Sequence, residues 1–241
     1  MDWDCPYGIC DGSGFVESGE RTVAPCRCRP QMIARKQGRQ LQQRLRQSIP
    51  KHFQDLAWDR HPLSEIADLH PSPAAAVRRY CDHIAENLEQ GRGLWLFGNK
   101  GTGKTTLAYT VARAALDQGH SVLSLNTVDL FNRLGESYRD GARWTTAEII
   151  DGATNVDLLQ LEDLTAPRES EWIVEQLYTI VNFRYESGKA ILFTSDVPTG
   201  QAPDPGALAG RIGDRTFSRL VAMVGDPVVL VGDDMRLAHV A

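Results

Sequence analysis

The stretch Gly98-Asn99-Lys100-Gly101-Thr102-Gly103-Lys104-Thr105 has the spacing G-x-x-x-x-G-K-T. Glycines in that pattern let backbone N–H groups converge on a β-phosphate, and a helix start just after them adds positive potential. Lys104 is spaced to reach the β- and γ-phosphates and Thr105 to hold magnesium, with Thr106 beside it. The same chemistry needs acids at the end of a neighbouring strand. Asp157-Leu158-Leu159-Gln160-Leu161-Glu162-Asp163 supplies two after an apolar run. Glu162 fits the magnesium position and Asp163 the water-activating one, the bland alternative being two loop acids after a strand. Phe193-Thr194-Ser195-Asp196 puts polar groups at another strand end, where Asp196 would orient water or sense the γ-phosphate. Arg211, Arg215 and Arg219 recur every four residues, so one helical face would carry them toward phosphoryl charge. Read blandly, they are a solvated basic stripe.

A second constellation lies near the start of the chain. Cys5, Cys10, Cys26 and Cys28 are spaced C-x4-C-x15-C-x-C, and only Cys81 lies elsewhere. Two close pairs joined by a hairpin supply the four soft ligands that tetrahedral zinc takes, and with every ligand from protein such a site is structural. Two disulfides are the alternative. A reducing compartment and the closeness of Cys26 to Cys28 both disfavour it. Cys81 falls on the apolar face of a predicted helix and reads as core.

These residues need elements to position them. Pro73 to Gln90 shows helical spacing, Leu94 to Phe97 a short buried strand, and a helix follows to about Leu116. Ser121–Leu125, Val156–Leu161, Ala190–Thr194 and Val228–Val231 read as further strands. Val128–Leu134, Glu169–Glu186 and Arg215–Met223 read as helices, and Ala202–Gly206 as a loop. Strands separated by helices predict an α/β fold with a largely parallel sheet covered on both faces. Gln31 to Gln47 carries a weak apolar stripe on a Gln- and Arg-rich background, either a solvated linker helix or a partner-binding one.

Composition bounds what such a molecule can be. The 241 residues are 42% hydrophobic, enough for a packed core and too many for a disordered chain. No apolar run approaches the ~20 residues of a membrane span, and the first residues lack a signal-peptide pattern, so a cytoplasmic protein is expected. The net charge of -5 argues against nucleic acid, yet it hides an asymmetry: residues 1–52 sum to +4 and the remainder to -9. Any DNA contact then rests on a few arginines and should be weak, salt-sensitive and dependent on assembly.

Taken together, the P-loop, Asp-Leu-Leu-x-Leu-acid-acid, Thr194-Ser195-x-x-Pro198 and Arg211-x-x-x-Arg215 resemble the DnaC/DnaI-type replicative helicase loaders, AAA+ ATPases related to DnaA and to the IstB transposition helpers. Ile49-Pro50-Lys51-His52-Phe53 is similar to that family's Ile-Pro-x-x-Phe lead-in, and Asp234-Met235-Arg236 to its C-terminal Asp-Tyr-Arg. The resemblance implies a zinc module over 1–30, a basic linker or partner-binding helix over 31–48 and a P-loop AAA+ domain over 49–241. It implies that Arg215 is an arginine finger supported by Arg211, and that Arg236 is a sensor arginine. Arg133 and Arg139, on the helix from Thr127 to Arg139, would meet single-stranded DNA. ATP, magnesium and zinc are the implied cofactors. A hexameric replicative helicase, single-stranded DNA and further copies of the chain in a ring or spiral are the implied partners. The implied activity is ATP-dependent helicase loading, the alternatives being an IstB-like transposition helper or a non-hydrolysing adaptor. Two positions depart from the family: Glu162 stands where Asp is usual, and Asp196 where Asn is usual. Three acids together repel phosphates unless one is protonated or metal-bound, so slow hydrolysis is expected.

Overall fold

The computed structural model describes residues 5–19, 22–30, 32, 49–137, 141, 144–164, 171–196 and 204–238. The chain divides into two compact units, Met1–Arg44 and Leu45–Ala241. In the first, β1 (Phe15–Gly19) pairs antiparallel with β2 (Thr22–Pro25), with an irregularity between Glu17 and Gly19. Apart from Met32, the helix expected over 31–48 lies outside the described residues.

The second unit follows the alternation seen in the sequence. Its helices are α1 (Leu63–Leu69), α2 (Pro71–Asp82), α3 (Ile84–Glu89), α4 (Lys104–Asp117), α5 (Thr127–Glu136), α6 (Thr146–Asn155), α7 (Glu171–Glu186), α8 (Ala209–Ile212), α9 (Asp214–Val224) and α10 (Met235–Ala238). Its strands are β3 (Leu94–Gly98), β4 (Val122–Asn126), β5 (Leu158–Glu162), β6 (Ala190–Asp196) and β7 (Val228–Leu230). The five strands form one parallel sheet in the order β4-β5-β6-β3-β7.

Strand side chains alternate between two cores, as the period of two requires. Leu94, Leu96, Leu158, Ala190 and Leu192 face the layer of α1 to α4. Trp95, Phe97, Leu159, Leu161, Ile191 and Phe193 face α5 to α9. A sheet buried on both faces needs continuous apolar strands, and β3 and β5 are buried at every position.

The fold departs from the sequence expectations at several places. Pro205–Leu208 is a 3-10 turn leading into α8, where the sequence reads as a loop over Ala202–Gly206. The helix read from Pro73 to Gln90 is two helices, broken at His83, whose backbone leaves the helical region (φ -113, ψ 29). Helix α6 lies outside the helices read from periodicity, although Thr145 and Glu148 form a capping box that is visible as T-x-x-E. Helix α1, with seven residues, is too short to show a period.

Candidate nucleotide site and a cysteine cluster

The parallel register brings three strand ends to one edge. Gly98 at the end of β3 pairs with Asp196 at the end of β6, and Glu162 ends β5 one strand further along. In parallel sheets this carboxyl edge is where ligands bind. It opens into a cleft of about 740 Å³, within the range of a small-molecule site. Its lining includes Gly101, Gly103, Lys104 and Thr105 of the P-loop together with Asp163, Asp196 and Arg236.

Within the P-loop, Gly103 lies in the left-handed region (φ +91), and a Cβ there would overlap the Ile66 side chain. Helix α1 is therefore packed directly on the loop. Thr102 is buried, and its hydroxyl donates to the Asn99 carbonyl at 2.9 Å. Asn99 N–H donates to the Leu230 carbonyl at 3.2 Å, tying the loop to β7. Lys104 begins α4 with its ammonium buried. That ammonium donates to the carbonyls of Gly98 (3.1 Å) and Asn99 (2.6 Å) and pairs with Asp196 at 2.8 Å. The negative charge expected at Asp196 is thus opposed by a cation in contact.

The two acids after β5 are placed differently. Glu162 is buried, and burial raises its carboxyl above the ordinary range against the pull of hydrogen bonds from Tyr109, Thr105 and Gln160. A Thr105 hydroxyl beside a Glu162 carboxylate gives two hard oxygen donors, the type that magnesium takes. Asp163 lines the cleft instead. It is the single non-glycine with positive φ among the described residues (φ 52), and its N–H donates to the Thr194 hydroxyl at 2.9 Å. Burial and then the Asp196 charge raise its carboxyl, while Lys104 and Lys100 draw it back.

The arginines do not form one helical face. Gly213 (φ 86, ψ 142) separates α8, which carries Arg211, from α9, which carries Arg215 and Arg219. Arg211 lines a small recess with Asp196 and Asp204. Arg215 is exposed in the first turn of α9. Arg219 lies over the rings of Tyr178 and Tyr185, at 4.9 and 5.9 Å, in a cation–π arrangement within the unit. Arg133 is exposed on α5, and Arg139 lies outside the described residues.

The chain before the sheet also lines the cleft, through His52, Phe53, His61, Glu65 and Ile66. His52 and Phe53 belong to the Ile-Pro-x-x-Phe-like lead-in, which by itself carries no place in the cleft, and His61, Glu65 and Ile66 carry no sequence signal. Phe53 stacks on Tyr109 with centroids 4.3 Å apart, and Tyr109 in turn hydrogen-bonds Glu162. Tyr109 is four residues after Thr105, so helical spacing alone puts both on one face of α4.

In the N-terminal unit the Sγ atoms of Cys5, Cys10, Cys26 and Cys28 all lie within 4.8 Å of one another. Cys5 and Cys26 are 3.9 Å apart, and Cys10 and Cys28 are 3.5 Å apart. A tetrahedron of thiolates around zinc has S···S edges of about 3.8 Å, so the set has the right size. None of the five cysteines is in a disulfide. Backbone N–H groups, first that of Cys10, bring the Cys5 thiol down to about 6. Cys81 packs against the core, and burial pushes its thiol up to about 12.

A family model described as IstB-like ATP binding protein matches residues 33–225. A protein of Sinorhizobium fredii named as an insertion sequence ATP-binding protein is 30% identical over 49% of this chain and 40% of its own length. The replicative helicase loader DnaC of Buchnera aphidicola is 23% identical over 60% of this chain and 55% of its own. The replicative helicase loader DnaI of Bacillus subtilis is 25% identical over 64% and 50%. The chain thus spans about half the length of the curated relatives it matches. Among solved structures, the crystal structure of the DnaC helicase loader superposes with a TM-score of 0.61 at 25% identity, covering 76% of this chain and 100% of that one. AMPPCP-bound DnaA from Aquifex aeolicus shares the fold, with a TM-score of 0.53 at 22% identity over 68% of this chain and 46% of that one.

Proposed function

The chain belongs to the IstB-like ATP-binding protein family, and on that premise we propose that it is a magnesium-dependent AAA+ ATPase that loads a replicative DNA helicase onto single-stranded DNA. The observation that carries the loader reading is the four-thiol cluster in a unit of its own ahead of the P-loop unit. In this reading the module docks on a partner, a hexameric replicative helicase. Zinc held by Cys5, Cys10, Cys26 and Cys28 would give it a fixed shape without an extensive core.

In the nucleotide cleft Lys104 leaves Asp196 for the β- and γ-phosphates, exchanging one anionic partner for another. Thr105 and Glu162 would hold magnesium, which neutralises phosphate charge when bound. Asp163, in the cleft and with a raised pKa, accepts the proton of the attacking water. Asp196, released from Lys104, orients that water. The N–H groups of Gly101, Gly103 and their neighbours donate to phosphate oxygens, and Arg236 meets the γ-phosphate. Arg215, exposed at the start of α9, acts on the nucleotide of a neighbouring copy in a ring or spiral, with Arg211 behind it. Arg133 and Arg139 would contact single-stranded DNA. Slow turnover is part of this reading, because Glu162, Asp163 and Asp196 gather negative charge around the phosphates.

The test is association with the purified replicative helicase of the same organism, with ATP and with Lys104→Ala as control. Helicase capture that depends on the N-terminal cysteines, with ATPase activity raised by single-stranded DNA, is expected. A second reading, a transposition helper, is favoured by the insertion sequence relative. Filaments on duplex DNA together with indifference to the helicase would replace the loader reading with it.

A further inference from the structure

The segment before α10 is seated on the P-loop. Gly101 has φ +75, and a Cβ there would overlap the Asp234 carboxylate, so the carboxylate rests against the bare Cα of the loop. Met235 N–H donates to the Gly101 carbonyl at 3.2 Å, fixing the same contact from the backbone. The carboxylate turns back on Arg236. Its Oδ1 accepts from the Arg236 N–H (3.0 Å) and Nε–H (2.9 Å), and its Oδ2 accepts from Nη2 (2.7 Å). Arg236 lines the cleft shared with Lys104, yet its side chain is 72% exposed. A guanidinium that exposed would sample many rotamers without an anchor.

We propose that Asp234 is a positioning residue: seated on Gly101, it aims the Arg236 guanidinium at the phosphate end of the bound nucleotide. This rests on the reading of the cleft as a nucleotide site. The donor arithmetic allows it. A guanidinium has five N–H donors, and the fork uses two, leaving both on Nη1 and one on Nη2 for phosphate oxygens. Asp234 therefore anchors the arginine without using it up. The Arg236 hydrogen bond holds the Asp234 carboxyl below its usual range, so the fork is charged at neutral pH.

The test is equilibrium titration of the full chain with fluorescent ATP and ADP analogues in the presence of magnesium. Asp234→Ala and Arg236→Ala should each weaken ATP by roughly tenfold, the size of a charge-assisted hydrogen bond, and weaken ADP less. If Asp234 acts through Arg236, the double variant is no weaker than the worse single variant. Asp234→Asn keeps an acceptor for the Arg236 N–H but loses the charge, and should fall between wild type and Asp234→Ala. Losses that multiply in the double variant overturn the proposal, as does an Asp234→Ala or Asp234→Asn protein that binds ATP as well as or better than wild type. Lys104→Ala separates the premise from the proposal. If it leaves ATP binding intact, the nucleotide-site reading fails and takes the proposal with it. If it abolishes binding while Asp234→Ala and Asp234→Asn are neutral, only the proposal fails.

Discussion

Glu162 and Asp163 are adjacent in sequence and differ in surroundings. Glu162 is buried beside Tyr109 and Thr105, while Asp163 lines the cleft in a left-handed conformation held by Thr194. Their proposed roles follow from that difference, and so do the expected effects of isosteric amides. Asp163→Asn removes the proton acceptor and should lower the single-turnover hydrolysis rate by about 10²-fold or more while leaving ATP affinity within a few-fold. Glu162→Gln should raise the magnesium concentration needed for half-maximal rate. Turnover unchanged in both variants would remove these residues from the site. Most of this site is legible in the sequence because the P-loop and the strand-end acids are local patterns. What was not legible is the partner of each group. That Lys104 contacts Asp196, 92 positions away, and that Phe53 stacks under the Tyr109 that bonds Glu162, depends on which elements become neighbours.

At the scale of elements, the sheet is held at its other edge by charged groups. Asp157, just before β5, accepts from the N–H and hydroxyl of Ser121 before β4 (2.9 and 2.8 Å) and from Lys189 before β6 (3.2 Å). Burial pushes the Asp157 carboxyl up, but these donors outweigh it and hold the group below the usual range. A carboxyl depressed in the folded state contributes stability above its unfolded pKa of about 4, and that contribution is lost as pH falls through the folded value. Urea unfolding at pH 5 and pH 3 should show a smaller drop for Asp157→Asn than for wild type; equal drops would show that Asp157 is not the group responsible. Glu162 and Asp163, both raised, have the opposite sign and favour the folded state more as they protonate. Arg184, fully buried in α7, donates to the carbonyls of Ala153, Thr154, Val156, Asp157 and Ala190. It joins the end of α6 to the starts of β5 and β6, and burial draws its guanidinium down to about 10. Helical spacing placed Arg184 on α7 but could not show that it points inward. The period of four in Arg211, Arg215 and Arg219 makes no single stripe for a related reason: it runs through Gly213, where the chain leaves the helix.

For the whole molecule, two units imply two stabilities. Among the described residues the N-terminal unit has one two-stranded hairpin, and an isolated hairpin of that size is marginal in water. If zinc completes it, the protein purified in reducing buffer carries about one zinc per chain. Chelation should make Phe15–Pro25 protease-sensitive while the P-loop unit keeps its melting temperature. A zinc-free protein whose hairpin still resists protease would show that the thiols are not a metal site.

The sequence by itself determined the P-loop, the alternation that demands a parallel sheet, and the spacing of the four cysteines, because each is set by residues close along the chain. The same holds for the split of charge into +4 and -9, which leaves the acidic total compatible with a few well-placed arginines. Tertiary structure alone decided that Asp196 pairs with Lys104, that Arg219 is held by two tyrosines, and that Asp234 rests on Gly101. Those contacts join residues brought near by strand order and helix docking, and no local period encodes which distant side chain fills a given space.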